Sequence, residues 1–259
     1  AVTEEYRTKD PSYGLIAHYR LDEKEGDQVV DATGGKAGTV RGNPLWASEQ
    51  QRYGLRFDGQ THVDLGEAGD FDRLDAFSYG AWIYPSRESI VMARVSNEDS
   101  LRGYETRLGG GRIDVRLTHR EFEKGLRVTT DKDAPLDQWS HIFVTYDGSS
   151  RAAGVKIYLN GKPLKTNINK DSLDSTIRID GPLKIGQRGN RQALLGMVDD
   201  ARVYDRVLSD AEVSHLAGHD PIPRLLANEE RTEQQEKALQ TYFLEQYDEE
   251  YQQLRTQLE

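Results

Sequence analysis

Between residues 13 and 207, short apolar runs alternate with polar, glycine-rich breaks. LIAHYRL (15–21), YGLRFDG (53–59), FSYGAWIYP (77–85) and HIFVTYDG (141–148) are four such runs. Each has the length of a strand and is rich in β-branched or aromatic residues. Residues 155–164 (VKIYLNGKPL) read as strand, turn, strand, because Asn160-Gly161 supplies the positive φ angles of a two-residue hairpin loop. No helical period separates the runs. The pattern predicts an all-β, two-sheet antiparallel sandwich rather than alternating strand–helix units.

The last run, GMVDDARVYDRVLSDAEVSHLAG (196–218), carries two adjacent aspartates where strands seldom place them. Strict alternation from Val198 to Tyr204 sets Asp199 on the core face with Ala201 and Val203, and Asp200 outward with Arg202 and Tyr204. A carboxylate turned inward must be hydrogen-bonded, paired or metal-bound. Two readings stand: Asp199 accepts backbone N–H groups and ties the strand to a neighbouring turn, or it binds a cation, calcium first. Ser209 and Glu212 then form a capping box that starts a short helix to about Ala217, closed by Gly218.

Past Pro221 and Pro223 the composition changes. Residues 221–259 hold nine acids and four bases, so this stretch carries −5 of the chain's formal −10. Thr232 and Gln235 form a second capping box, and Leu239, Phe243, Tyr247, Tyr251, Leu254 and Leu258 recur as one helical stripe. Such a helix needs a partner: the sandwich itself, another part of a parent protein, or a second copy. The predicted organisation is an N-terminal extension (1–12), a β-sandwich (13–220) and an amphipathic helical tail or linker (221–259).

Charge and composition narrow the chemistry. A net charge of −10 and a pI of about 5.2 leave no basic footprint for a nucleic-acid backbone. With no cysteine there are no disulfides, thiolate metal sites or cysteine nucleophiles. No apolar run approaches the roughly 18 residues of a membrane span. The chain starts at Ala1 without a signal segment, which reads as a piece of a larger protein. The histidines lack metal-ligand spacing, since His215 and His219 fall at a helix end, and Gly109-Gly110-Gly111 is a turn between strands rather than a phosphate loop.

One surface stands out. In residues 112–118 (RIDVRLT), Ile113, Val115 and Leu117 face inward and leave Arg112, Asp114 and Arg116 together on the opposite face. The preceding strand offers Tyr104, Glu105 and Arg107, and the following loop adds His119 and Arg120. Tyr104, Arg107, Arg112, Asp114 and Arg116 are the candidate ligand-binding set, suited to sugar hydroxyls or the acidic groups of a polysaccharide. Cross-strand ion pairs on a solvated sheet are the competing meaning of the same pattern.

In chain order, GLIAHYRLDE (14–23), LRFDG (55–59), GAWI (80–83), WSHIFVTYDG (139–148), IYLNGK (157–162), LKIG (183–186) and GMVDDARVYDRVLS (196–209) resemble the laminin-G-like, concanavalin A-like jelly-roll family. The resemblance implies a jelly roll with a C-terminal α-helical extension. It also implies a non-catalytic module of a larger exported bacterial protein, periplasmic or at the cell surface, that binds carbohydrate or a protein surface. A structural or docking domain is the alternative, and a divergent glycoside hydrolase a further one. Enzymatic relatives carry Glu-x-Asp-x-x-Glu on one strand. This sequence has no such string, and its nearest acid clusters, Asp22-Glu23-Lys24-Glu25 and Glu121-Phe122-Glu123, have other spacings.

Related glucanases hold a structural calcium beside an aspartate of the final strand. Asp199 matches that aspartate, with carbonyls expected near Arg20 and Gly54. The tail, through Arg231-Thr232, Gln235, Leu239, Tyr242-Phe243-Leu244, Asp248, Tyr251, Leu254 and Leu258, resembles the segment that follows such a domain in large planctomycete proteins. Those proteins also carry a cytochrome-c-like domain. No Cys-x-x-Cys-His is present here, so a haem would lie elsewhere.

Overall fold

The computed structural model describes residues 12–217 apart from 51, 97–99, 122 and 189–192. The expected extension (1–12, of which only Ser12 is described), the closing Gly218 and the striped tail (221–259) lie outside the described residues.

The first strands are short: β1 (Leu15–Tyr19), β2 (Gln28–Val29), β3 (Gly38–Arg41), β4 (Leu45–Glu49), β5 (Arg52–Asp58) and β6 (His62–Asp64). Longer ones follow: β7 (Phe77–Pro85), β8 (Ile90–Val95), β9 (Gly103–Gly109), β10 (Arg112–Arg120), β11 (Lys124–Asp133) and β12 (Ser140–Tyr146). Then come β13 (Val155–Leu159), β14 (Lys162–Pro163), β15 (Thr166–Asp171), β16 (Lys184–Ile185), β17 (Leu195–Tyr204) and helix α1 (Asp210–Leu216). Two antiparallel sheets result. One runs β14-β13-β12-β7-β17-β5-β4 with β1 added on β17, and the other runs β15-β11-β10-β9-β8-β16-β6-β3-β2.

The inward faces of the two sheets build the core. Phe57, Phe77, Tyr79, Ile83, Ile142, Val144, Val198 and Val203 from one sheet meet Val91, Tyr104, Val115, Leu117, Val128 and Ile185 from the other. Phe77 sits at the centre of an aromatic group: Phe71 stacks on it at 4.5 Å, and Tyr104 and Tyr146 lie at 5.1 and 5.3 Å. The predicted hairpin is present as β13 and β14, with Leu159 opposite Lys162 and φ of 49° at Asn160 and 77° at Gly161. Gly161 is also required by space, because a Cβ there would lie 2.8 Å from the Ser214 α-carbon of α1.

Helix α1 starts on the predicted capping box, with the Ser209 side chain accepting from the Glu212 N–H and the Glu212 side chain accepting from the Ser209 N–H. Its apolar side, Val213 and Leu216, packs with Leu208 on Phe143, Tyr158 and Tyr204. That small second core covers part of the outer face of the eight-stranded sheet. Among the described residues no helix is long and apolar enough to cross a membrane.

Candidate functional site

The paired aspartates sit at a handover. Residues Leu195–Val198 of β17 pair with β5, whereas Ala201–Tyr204 pair with β1. The strand bulges between Asp199 and Arg202, and Asp200 takes the left-handed φ of 52°. The extra residue breaks the alternation assumed from sequence. Asp199 lies opposite Trp82, on the outer face of the eight-stranded sheet, while Val198 and Ala201 both point into the core. The expectation that Asp199 faces the core is therefore corrected: both aspartates emerge on the same outer face.

Their partners differ. Asp199 is paired with Arg52, whose guanidinium lies 3.9 Å from the Trp82 ring centroid and 5.7 Å from that of Trp139. Asp200 meets His18 Nε2 at 2.7 Å and accepts from Arg202 Nε at 2.9 Å. Burial works against its charged form, but the His18 and Arg202 contacts outweigh it and hold the carboxyl far below the usual range.

The calcium expectation named Asp199, Gly54 and Arg20. The Asp199 carboxylate is already answered by a guanidinium, the Arg20 carbonyl accepts the Asp200 N–H at 3.2 Å, and Gly54 is packed against the Val198 carbonyl. No cluster of three or more His, Asp or Glu side chains suited to a metal occurs among the described residues. Calcium asks for six to eight oxygens. The donor set present does not fit it, because a dication at Asp199 would face the Arg52 charge. The expected result is a thermal unfolding transition that is the same in millimolar calcium as in excess EDTA; an upward shift with calcium would reverse this conclusion.

The outer face of the nine-stranded sheet carries the other predicted residues. Arg116 lies opposite Glu105, and Asp114 opposite Arg107, across the β9–β10 pair. Asp114 is fully buried and accepts from Arg107 Nε (3.0 Å), Arg116 Nη2 (3.0 Å), and Arg127 Nε and Nη2 (both 3.1 Å). Burial opposes its ionisation, yet the Arg116 and Arg127 hydrogen bonds prevail and keep its pKa below the ordinary value. Glu105 is held by Arg188 Nη1 at 3.0 and 3.2 Å, with Arg116 at 3.9 Å. There burial prevails over Arg188, Arg116 and Arg107, and its pKa is raised.

So the structure brings Arg107, Asp114 and Arg116 together and leaves two of the expected residues apart. Arg112 donates to the Thr130 carbonyl at 2.8 Å and touches neither acid. Tyr104 is a correction: it lies opposite Leu117, not Arg116, so it points into the core, where its hydroxyl donates to the Gly69 carbonyl at 2.8 Å. Sequence reasoning missed Arg127 and Arg188. The alternation Leu126-Arg127-Val128 carried the signal for the first; Arg188 lies in an irregular stretch with none.

Beside this cluster is a cavity of about 270 Å³. Ala93, opposite Glu105, lies in its floor; Lys184, Gln187 and Arg188 line one side and residues 179–182 another. A wider recess of about 880 Å³ adjoins it across the same 179–182 loop, bordered by Asp64, Glu67, Asp70 and Arg178. The cavity thus offers a small-residue floor, two cations, an amide and the Asp180 carboxylate next to the Glu105 ion pair.

Comparison with known proteins fits this architecture. Residues 57–214 match the concanavalin A-like lectin/glucanases superfamily, laminin-G type. Comparison with curated proteins finds no match. Among solved structures, the binding domain of Paraclostridial Mosquitocidal Protein 1 is similar at 18% identity and TM-score 0.63, over 80% of this chain and 52% of that one. Domain 4 of AbnA, a GH43 extracellular arabinanase from Geobacillus stearothermophilus in complex with arabinotriose, is similar at 19% identity and TM-score 0.58, over 78% and 98%. The binding domain of botulinum neurotoxin DC in complex with rat synaptotagmin II is similar at 14% identity and TM-score 0.58, over 80% and 52%. The chain spans about half the length of the two toxin domains. At identities this low the likeness establishes the fold.

Proposed function

Because the chain belongs to the concanavalin A-like lectin/glucanases superfamily, we propose that it is a non-catalytic recognition module of a larger exported bacterial protein. In this reading it binds carbohydrate on the outer face of the nine-stranded sheet. The observation that carries the reading is the cavity floored by Ala93 and walled by Lys184, Gln187 and Arg188, set against a sheet face whose acids are already held by arginines. Such a site binds through fixed polar groups. Glu105 and Asp114, the two buried acids of the face, are engaged by guanidinia, which leaves Asp180 as the acid in the cavity lining and favours recognition over hydrolysis, since a general acid and a partner carboxylate must both reach the scissile bond. The arabinanase domain, whose structure holds arabinotriose, supports a sugar ligand on this fold. The tail's resemblance to planctomycete multidomain proteins belongs to the same reading, that of a module within a longer chain.

Affinity electrophoresis against a panel of neutral and acidic polysaccharides tests it. A Cβ on Gly181 meets only Ile179 Cδ1, at 3.4 Å, so Gly181→Leu plants a side chain at the cavity without backbone strain. Retardation of the wild-type chain by at least one polysaccharide, lost in Gly181→Leu with an unchanged circular-dichroism melt, is the expected result. Free migration through every gel, or retardation that Gly181→Leu leaves intact, overturns it.

A further inference from the structure

The polar residues on the outer face of the nine-stranded sheet are layered by charge. The acids form the floor: the Glu105 side chain is 4% exposed and that of Asp114 0%. The arginines form the roof: Arg188 is 12% exposed, Arg116 17%, Arg107 19% and Arg127 41%. A molecule arriving from solvent meets guanidinium edges and cannot reach either carboxylate. Near the four arginines, Glu121 lies 3.8 Å from Arg116 and the exposed Glu88 acts on Arg107, so acids and arginines balance in number and the charge is ordered by depth, on a chain whose net charge is −10. Lys184, on the cavity wall, adds a cation from strand β16, with Asp64 opposite it on β6 and Asp180 in the same cavity lining.

The arginines also have donors to spare. Among the described residues, the side-chain bonds to Asp114 use Nε of Arg107 and Nε with Nη2 of Arg127, and the bonds to Glu105 use Nη1 of Arg188. The outward amino groups are fixed in direction, because the buried acids hold the guanidinia from below. A planar fork held in this way matches a carboxylate, which takes two parallel, charge-assisted hydrogen bonds from the outward guanidinium edge. A neutral sugar hydroxyl supplies a weaker acceptor and no charge.

We infer that the saccharide unit recognised on this face bears a carboxylate, as a uronate does, and that Arg107, Arg127 and Arg188 bind it above the Glu105–Asp114 floor. The inference rests on the carbohydrate reading and narrows it to acidic glycans.

Titration calorimetry of the full chain compares oligogalacturonate, the same oligomer methyl-esterified, a sulfated oligosaccharide and polyglutamate. The expected result is affinity for the free acid about tenfold or more above that for its ester, falling as sodium chloride rises. Arg127→Gln and Arg188→Gln, if folded, bring the two affinities together. The salt dependence of the wild type gives the same answer should either variant fail to fold. Equal binding of acid and ester overturns the carboxylate assignment and leaves the carbohydrate reading standing. Tighter binding of the sulfated oligomer, or of polyglutamate, also overturns it. Silence with all three saccharides overturns the carboxylate assignment, and the neutral and acidic polysaccharide panel then decides the carbohydrate reading.

Discussion

Replacing Asp114 with alanine is expected to lower the unfolding free energy by about 3–5 kcal/mol. Three arginines converge on this one fully buried carboxylate. Removing it leaves the three guanidinium groups without their shared hydrogen-bonded counter-charge, with Glu105 and Glu121 only partly answering their mutual repulsion. Asp114→Asn keeps the shape and part of the hydrogen bonding, so its loss is smaller. The pH dependence separates the two contributions. The folded-state pKa of Asp114 is depressed, so its stabilisation is complete above the ordinary aspartate value and disappears as pH falls through the depressed one. The wild-type advantage over Asp114→Asn should therefore shrink on acidification. Glu105 has the opposite sign: its raised pKa means that stability declines as pH climbs from the ordinary glutamate value through the raised one. Urea titrations at several pH values measure both. A loss under about 1 kcal/mol for Asp114→Ala, the range of surface pairs, would show that the arginines are solvated after all.

The second large effect belongs to the core. Phe77→Ala should cost about 3–5 kcal/mol, because it opens a cavity where Phe71, Tyr79, Tyr104 and Tyr146 surround one ring. Phe77→Leu, which keeps most of the volume, costs less. The loss should appear in equilibrium denaturation, with the polysaccharide retardation of the remaining folded protein unchanged, since Phe77 points away from the outer face that bears the arginines. A loss of binding at full stability would mean that the core and that face are coupled.

Most of the fold could be read from the order of residues. The apolar runs, the Asn160-Gly161 hairpin and the Ser209–Glu212 capping box are local features, set by side-chain period and by backbone angles that few residues accept. The site was legible only where alternation held. Arg107, Asp114 and Arg116 were assigned to the correct face because β9 and β10 are regular there. Tyr104 is the exception: its position next to Glu105 already sets it on the opposite face of β9 from Glu105 and Arg107, and grouping it with them ignored that alternation. Asp199 was misplaced because a one-residue bulge flips everything beyond it, and only the rarity of aspartate in strands hinted at the irregularity. Arg188 reaches Glu105 across 83 positions of sequence, a proximity that no local pattern encodes.

The pairing of β1 with the last residues of β17 has a mechanical meaning. Leu15 lies opposite Tyr204, and the Asp205 N–H donates to the Gly14 carbonyl at 2.9 Å. Tension applied between positions 14 and 205 therefore loads this ladder at its end, and its hydrogen bonds part singly, as a zip opens, instead of shearing together. A module anchored to moving neighbours on both flanks would give way first at β1, at low force. Arg107, Arg116 and Arg127 sit on β9, β10 and β11, away from this seam and from the edge strand β2 that follows β1, so a ligand there would stay held while the seam opens and re-forms.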